Sequence, residues 1–208
     1  MKRFAISIAV TIVSLASCLP VSAQDIAPEE CLKKVLSLKP LEPSMMEPAK
    51  AALHSLIPDP AGYEKTLPPL AIVISTKDAV NLKNYGGLSE AYLYAGETSK
   101  GESIFSQFST HANEILGAND SFPPGVTGDF ALYYYFQNNY AKAEPLFLKA
   151  SNDLEKNPAG ERLTNLVSDY MCLTFICNKK GNKADAQKYA KKMVDLSLKI
   201  HKAQHPNE

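Results

Sequence analysis

The stretch Ala131-Leu132-Tyr133-Tyr134-Tyr135-Phe136-Gln137-Asn138-Asn139-Tyr140-Ala141-Lys142-Ala143-Glu144-Pro145-Leu146-Phe147 decides the fold. Its apolar residues recur at three- and four-residue spacing on either side of Asn138-Asn139, the pattern of two helices joined by a tight turn. Sliding the chain on itself finds the same arrangement twice more. Ser89, Ala131 and Thr174 form one column and Gly96, Asn138 and Gly181 another, at spacings of 42 and 43 residues. Further columns hold Gly101, Ala143 and Ala186, then Phe105, Phe147 and Ala190, then Phe108, Ala150 and Met193. Tyr92, Tyr134 and Cys177 complete the first helix of each unit.

The columns have a physical reading. Two antiparallel helices approach closely only where Gly, Ala, Ser or Thr stands at the crossing, and larger side chains fill the gaps beside it. Gly and Asn tolerate the left-handed backbone that ends a helix, which suits Gly96, Asn138 and Gly181. Each pair keeps an apolar face that only the next pair can cover, so the pairs stack into an all-α solenoid. Breaks near Gly96, Gly117–Gly125, Asn138-Asn139, Asn157–Gly160 and Gly181-Asn182 divide the chain beyond Lys77 into six helices, and strands are not indicated.

The middle unit resembles the tetratricopeptide repeats, in the longer form found in kinesin light chain, whose pattern is A-x-L-Y-x-x-Q-G-x-Y-x-E-A-E-P-L-Y. Asn138 stands for the usual Gly and Lys142 for the usual Glu. Gly181-Asn182-Lys183-Ala184-Asp185-Ala186-Gln187-Lys188-Tyr189-Ala190 is similar to the generic form. In the first unit Gly101 replaces the interhelix Ala and Thr98 the aromatic. The resemblance covers 77–203, as units of about 77–117, 124–157 and 161–203.

The resemblance implies a superhelix whose first helices line a concave groove. In that register Tyr134 packs inside while Leu132, Tyr135 and Phe136 face the groove. Lys83, Glu90, Leu93 and Tyr94 precede them, and Met171, Phe175, Asn178 and Lys179 follow. Four successive aromatics, Tyr133 to Phe136, point in four directions around a helix, so some are expected to face outward. A groove aromatic at its centre and polar at its ends suits a peptide or helical segment of a partner protein. The alternative is that the N-terminal segment folds across these aromatics. Members of the family that clamp a terminal carboxylate use Lys and Asn on first helices, whereas Gly128 and Leu132 stand at matching positions here.

The N-terminal third has another texture. Met1-Lys2-Arg3, the uncharged run Phe4–Ala16 and Val21-Ser22-Ala23 read as a bacterial-style export signal over residues 1–23. Its apolar run of about 13 residues is shorter than the roughly 20 that span a membrane. Leu15-Ala16-Ser17-Cys18 also resembles a lipobox, which would instead anchor the chain by a lipid on Cys18. Residues 24–76 are rich in Pro, which forbids a long helix but allows short ones over Pro28–Leu38 and Met45–Ile57. Cys31, Cys172 and Cys177 read as small apolar core residues, with a Cys31 bridge as the alternative.

Composition and motifs exclude several functions. The chain has 208 residues, no Trp, and 22 basic against 22 acidic side chains, a balance unlike that of a nucleic-acid binder. Gly96-Glu97-Thr98-Ser99-Lys100-Gly101 has phosphate-loop spacing, but Glu102-Ser103 follows where the cation and hydroxyl belong. Of His54, His111, His201 and His205, the last two lie four apart, but with no further ligand nearby they read as a fraying terminus over 204–208 rather than a metal site. Lys179, Lys180, Lys183, Lys188, Lys191, Lys192, Lys199 and Lys202 read as a solvated face. The sequence therefore predicts a non-catalytic scaffold of the cell envelope, exported to the periplasm or beyond, with a protein or peptide partner and no cofactor or metal. A structural subunit of an envelope complex and an enzyme with an unrecognised site are the rival readings.

Overall fold

A computed structural model describes residues 28–37, 39 and 41–204; residues 1–23, where an export signal is expected from the sequence, and His205 lie outside these residues. Among them the chain is all-α, with no strand. Six long helices form three antiparallel pairs: α5 (Ala79–Tyr94) with α6 (Thr98–Leu116), α7 (Phe122–Phe136) with α8 (Tyr140–Glu155), and α9 (Glu161–Lys179) with α10 (Lys183–Gln204). Each pair packs against the next, making a solenoid. Four shorter helices precede them: α1 (Pro28–Leu36), α2 (Glu47–Leu56), α3 (Pro60–Glu64) and α4 (Leu70–Ser75), with a 3-10 turn at Pro43–Met46. The sequence pattern foresees α1 and α2 but not α3 or α4. No helix among the described residues is long and apolar enough to cross a membrane.

The repeat is written in backbone hydrogen bonds. Gly96, Asn138 and Gly181 have φ of 88°, 58° and 76°, the left-handed conformation expected of them. After each, an amide reaches back to the last turn of the first helix: Glu97 to Tyr92, Asn139 to Tyr134 and Asn182 to Cys177, each at 2.9 Å. The left-handed residues donate to Leu93, Tyr135 and Asn178 at 3.2, 2.9 and 3.0 Å. Three helices thus end in the same Schellman motif at repeat spacing. Asn139 and Asn182 then start the second helices by accepting from the amides of Lys142 and Asp185.

Apart from half-buried Phe105, each predicted seam is buried. Ala131, Ala143 and Phe147 are all inaccessible and share one core. In the first pair the backbones approach closely, because a methyl group on Gly101 would stand 2.8 Å from the Ser89 carbonyl oxygen and 3.0 Å from the Leu93 nitrogen. Only a residue without Cβ fits, which explains the departure from Ala143 and Ala186 in that column.

Charged ties unseen in the sequence join one pair to the next. Glu102 on α6 accepts from the Tyr134 hydroxyl on α7 and from Lys142 on α8, and the Lys142 ammonium lies 4.7 Å from the Tyr134 ring centre. Glu64 on α3 repeats this with Tyr92 and Lys100, whose ammonium is 4.4 Å from the Tyr92 ring centre. Glu144, 42 residues after Glu102, pairs with Lys180 where Cys177 has replaced the tyrosine.

The aromatic run corrects one expectation. Tyr133, Tyr134, Tyr135 and Phe136 are all buried, at 9, 4, 3 and 8% exposure. Helix α7 is covered on every side, so four directions lead to four different neighbours. Tyr133 meets Tyr94 edge to face, Tyr134 reaches Glu102, and Tyr135 packs against Phe136, Tyr140, Phe147 and Phe175. The N-terminal segment supplies the remaining cover. Helix α1 lies on α10 and α9, and the Leu41 backbone reaches the Tyr135 hydroxyl. Cys31, Cys172 and Cys177 are free and buried.

Candidate functional site

The first helices of all three pairs border one cavity of about 450 Å³, closed on one side by α2 and α3. On α5, Lys83, Asn84, Gly87 and Glu90 recur at helical spacing and so share the cavity side. Helix α7 contributes Gly125, Gly128, Asp129 and Leu132, and α9 contributes Asn165 and Asp169. Leu53 and Leu56 of α2, with Ile57 just after it, form an apolar wall, with Val80 and Phe122 near by. Leu56 and Val80 remain 47 and 71% exposed.

Two kinds of surface therefore meet. The wall is hydrocarbon, while the polar part carries four carboxyl groups, Glu90, Asp120, Asp129 and Asp169, against one lysine. Lys83 is already committed: its ammonium lies 2.6 Å from Asp120 and over the Phe122 ring. Asp169 is 4% exposed and one of its oxygens, Oδ2, has no hydrogen-bond partner among the described residues. The same holds for Oδ1 of Asn165, whose side chain is 7% exposed. Burial, reinforced by the charge of Asp129, pushes the Asp169 carboxyl well above the usual range. Burial likewise raises the Tyr94 phenol, with Asp129 and Glu90 adding to it. Gly128 leaves room for Asp169, since a methyl there would stand 3.3 Å from Oδ1.

The groove residues expected from the sequence divide between two places. Lys83, Glu90 and Leu132 line the cavity. Tyr94 is half-buried beside Tyr133, and Leu93 is wholly in the core. Tyr135, Met171, Phe175 and Asn178 lie instead around a small void of about 20 Å³ that Val35 and Leu41 of the N-terminal segment close. Phe136 is buried, and Lys179 is exposed in the last turn of α9.

Sequence reasoning missed Asp129, Asp169, Asn165 and the wall from α2. A signal was present, because Asp129 is the sole charge between Phe122 and Phe136 and Asp169 the sole charge between Leu163 and Asn178. An acid alone in an apolar helix is costly to bury, so its place calls for a reason. Among the described residues, no group of three or more His, Cys, Asp or Glu is arranged to hold a metal ion. Comparison with protein-family models, curated proteins and solved structures finds no match to this chain.

Proposed function

We propose that this chain is a non-catalytic docking module of the tetratricopeptide kind, exported to the cell envelope, which holds a segment of a partner protein in the groove between its first helices. The carrying observation is the cavity itself: three successive first helices and α2 leave open a space with an apolar wall and an acidic side, where a closed solenoid would have packed side chains. The amino-terminal sequence supports export. A lipid anchor at Cys18 is the alternative to simple cleavage, and intact mass of the mature chain separates the two.

Gly87 provides a clean test. It lines the cavity, and a Cβ built there meets nothing within 4 Å, so Gly87→Phe places a ring in the open space. Replacing glycine inside a helix favours the helix by about 0.5 kcal/mol, and circular dichroism and melting should match or exceed the wild type. Crosslinking in intact cells should yield a defined partner with the wild type and lose it with Gly87→Phe. Equal capture by both would exclude the groove.

A second reading draws on Asp129 and Asp169. Two neighbouring carboxyl groups, one of them raised well above the usual range by burial and by the other's charge, can serve acid–base chemistry. It requires turnover that disappears in Asp169→Asn.

A further inference from the structure

We infer that the end of the solenoid built from α1 and α10 docks on an anionic lipid surface, with its exposed lysines toward the phosphate head groups and the acidic body of the molecule turned away. Neither helix lines the cavity, so this surface is separate from the groove.

The overall balance of charge hides a separation. Residues 28–39 and 179–200 hold ten lysines against four acids, Glu29, Glu30, Asp185 and Asp195, whereas residues 41–178 hold nine basic against sixteen acidic side chains. The fold joins the two basic stretches, because α1 packs on α10 and α9. A chain of zero net charge thus becomes a molecule with a positive end, which steers it toward a polyanionic surface.

The lysines of the two regions also differ in state. Within the body, Lys50, Lys77, Lys83, Lys100, Lys142 and Lys156 each pair with a carboxylate. At the basic end Lys34, Lys180 and Lys192 do the same. By contrast Lys33, Lys39, Lys179, Lys188, Lys191 and Lys199 are exposed and make no ion pair among the described residues. Around α10, Lys188, Lys191 and Lys199 fall within about 80° of one another, opposite the buried Ala186, Ala190 and Met193. Asp195 lies among them, one acid against three cations. Clustered lysines on a helix are what an anionic lipid surface attracts, and their long stems let the ammonium groups reach the head groups. Stacking of nucleic-acid bases has less to work with, since Tyr189 of α10 is half-buried against Tyr170.

The preceding chain joins at this same end, for Pro28 opens α1. Ten residues separate Cys18 from Pro28 and span about 35 Å at most. A lipid on Cys18 would therefore hold the basic end, not the acidic body, nearest the bilayer.

The test is partition of the full chain into sedimented vesicles of phosphatidylcholine alone or with about a quarter phosphatidylglycerol. Partition into the anionic vesicles should be about tenfold stronger, and the excess should vanish as salt rises from about 50 to about 500 mM. An apolar leader or a lipid would add to both vesicle types alike and leave this ratio unchanged. Lys188→Glu with Lys191→Glu should remove most of the ratio. Lys65→Glu with Lys149→Glu, an equal change of charge at exposed lysines of the body, should keep it, with circular dichroism unchanged in both. If the first pair disturbs the helix, Lys188→Gln with Lys191→Gln should lower the ratio less but in the same direction. Equal partition into both vesicles, or equal loss from both variant pairs, would overturn the inference. So would a short DNA duplex bound as tightly as the anionic vesicles, or salt-sensitive self-association without vesicles, in which the basic end meets the acidic body of a second copy. The groove is tested apart from all of these, by capture with Gly87→Phe.

Discussion

Asp169 occupies a position that folding alone does not favour. Its carboxyl is buried on α9, faces Asp129 from α7 and neighbours Cys172 on its own helix, while Asp129 and Glu90 both act on the Tyr94 phenol of α5. Its pKa in the folded chain is raised, so the folded state holds this proton more tightly than the unfolded state does. The stability linked to that proton is complete below the ordinary carboxylate range and is lost as pH rises through the folded value. Asp169→Asn keeps the shape without the ionisation. Its melting temperature should match the wild type near pH 3 and exceed it near pH 8; equal melting at both would show that burial does not hold the proton. Arg162 is the contrasting case, a buried charge with structural partners. Its guanidinium donates to the carbonyls of Asn119, Asp120 and Asp153, tying the loop before α7 to α8. Arg162→Ala would remove these charge-assisted hydrogen bonds, and should lower unfolding free energy by about 2–3 kcal/mol in urea titration.

At the scale of helices, the first pair is set by one missing methyl group. Because the atoms opposite Gly101 belong to the backbone of α5, they cannot turn aside as a side chain would. Gly101→Ala should therefore cost about 1–3 kcal/mol by overpacking, against the helix propensity that favours alanine. A more stable variant would mean that the pair has slack. This column also shows what was legible. Small residues at 42- and 43-residue spacing, with Gly96, Asn138 and Gly181 at helix ends, specify six helices and their pairing, because caps and crossings are local demands on single residues. The ties through Glu64, Glu102 and Glu144 were not legible, since each joins residues 28 to 40 positions apart through flexible side chains. Nor were α3 and α4, short helices that pack against α5. The acids of the cavity escaped because a repeat register says which helix face is shared, not which of its residues stay uncovered.

The molecule as a whole differs from an open stack because its N-terminal segment touches both ends. Near the first pair, Glu64 takes the place toward Tyr92 that Glu102 takes toward Tyr134. At the last pair, α1 lies against α10 and α9 with Cys31 and Val35 buried, and Leu41 joins the same core. Solenoids need such terminal covers, since an end pair has a face with no neighbour. Each pair contacts mainly the next, so loosening one cover should loosen the end it protects before the other. Val35→Ser with Leu41→Ser removes apolar burial at the last pair and should cost about 3 kcal/mol. By hydrogen exchange, amides of α9 and α10 should lose protection first, while those of α5 and α6, more than one pair away, keep theirs. Equal loss throughout would mean that the segment binds the solenoid into a single cooperative unit.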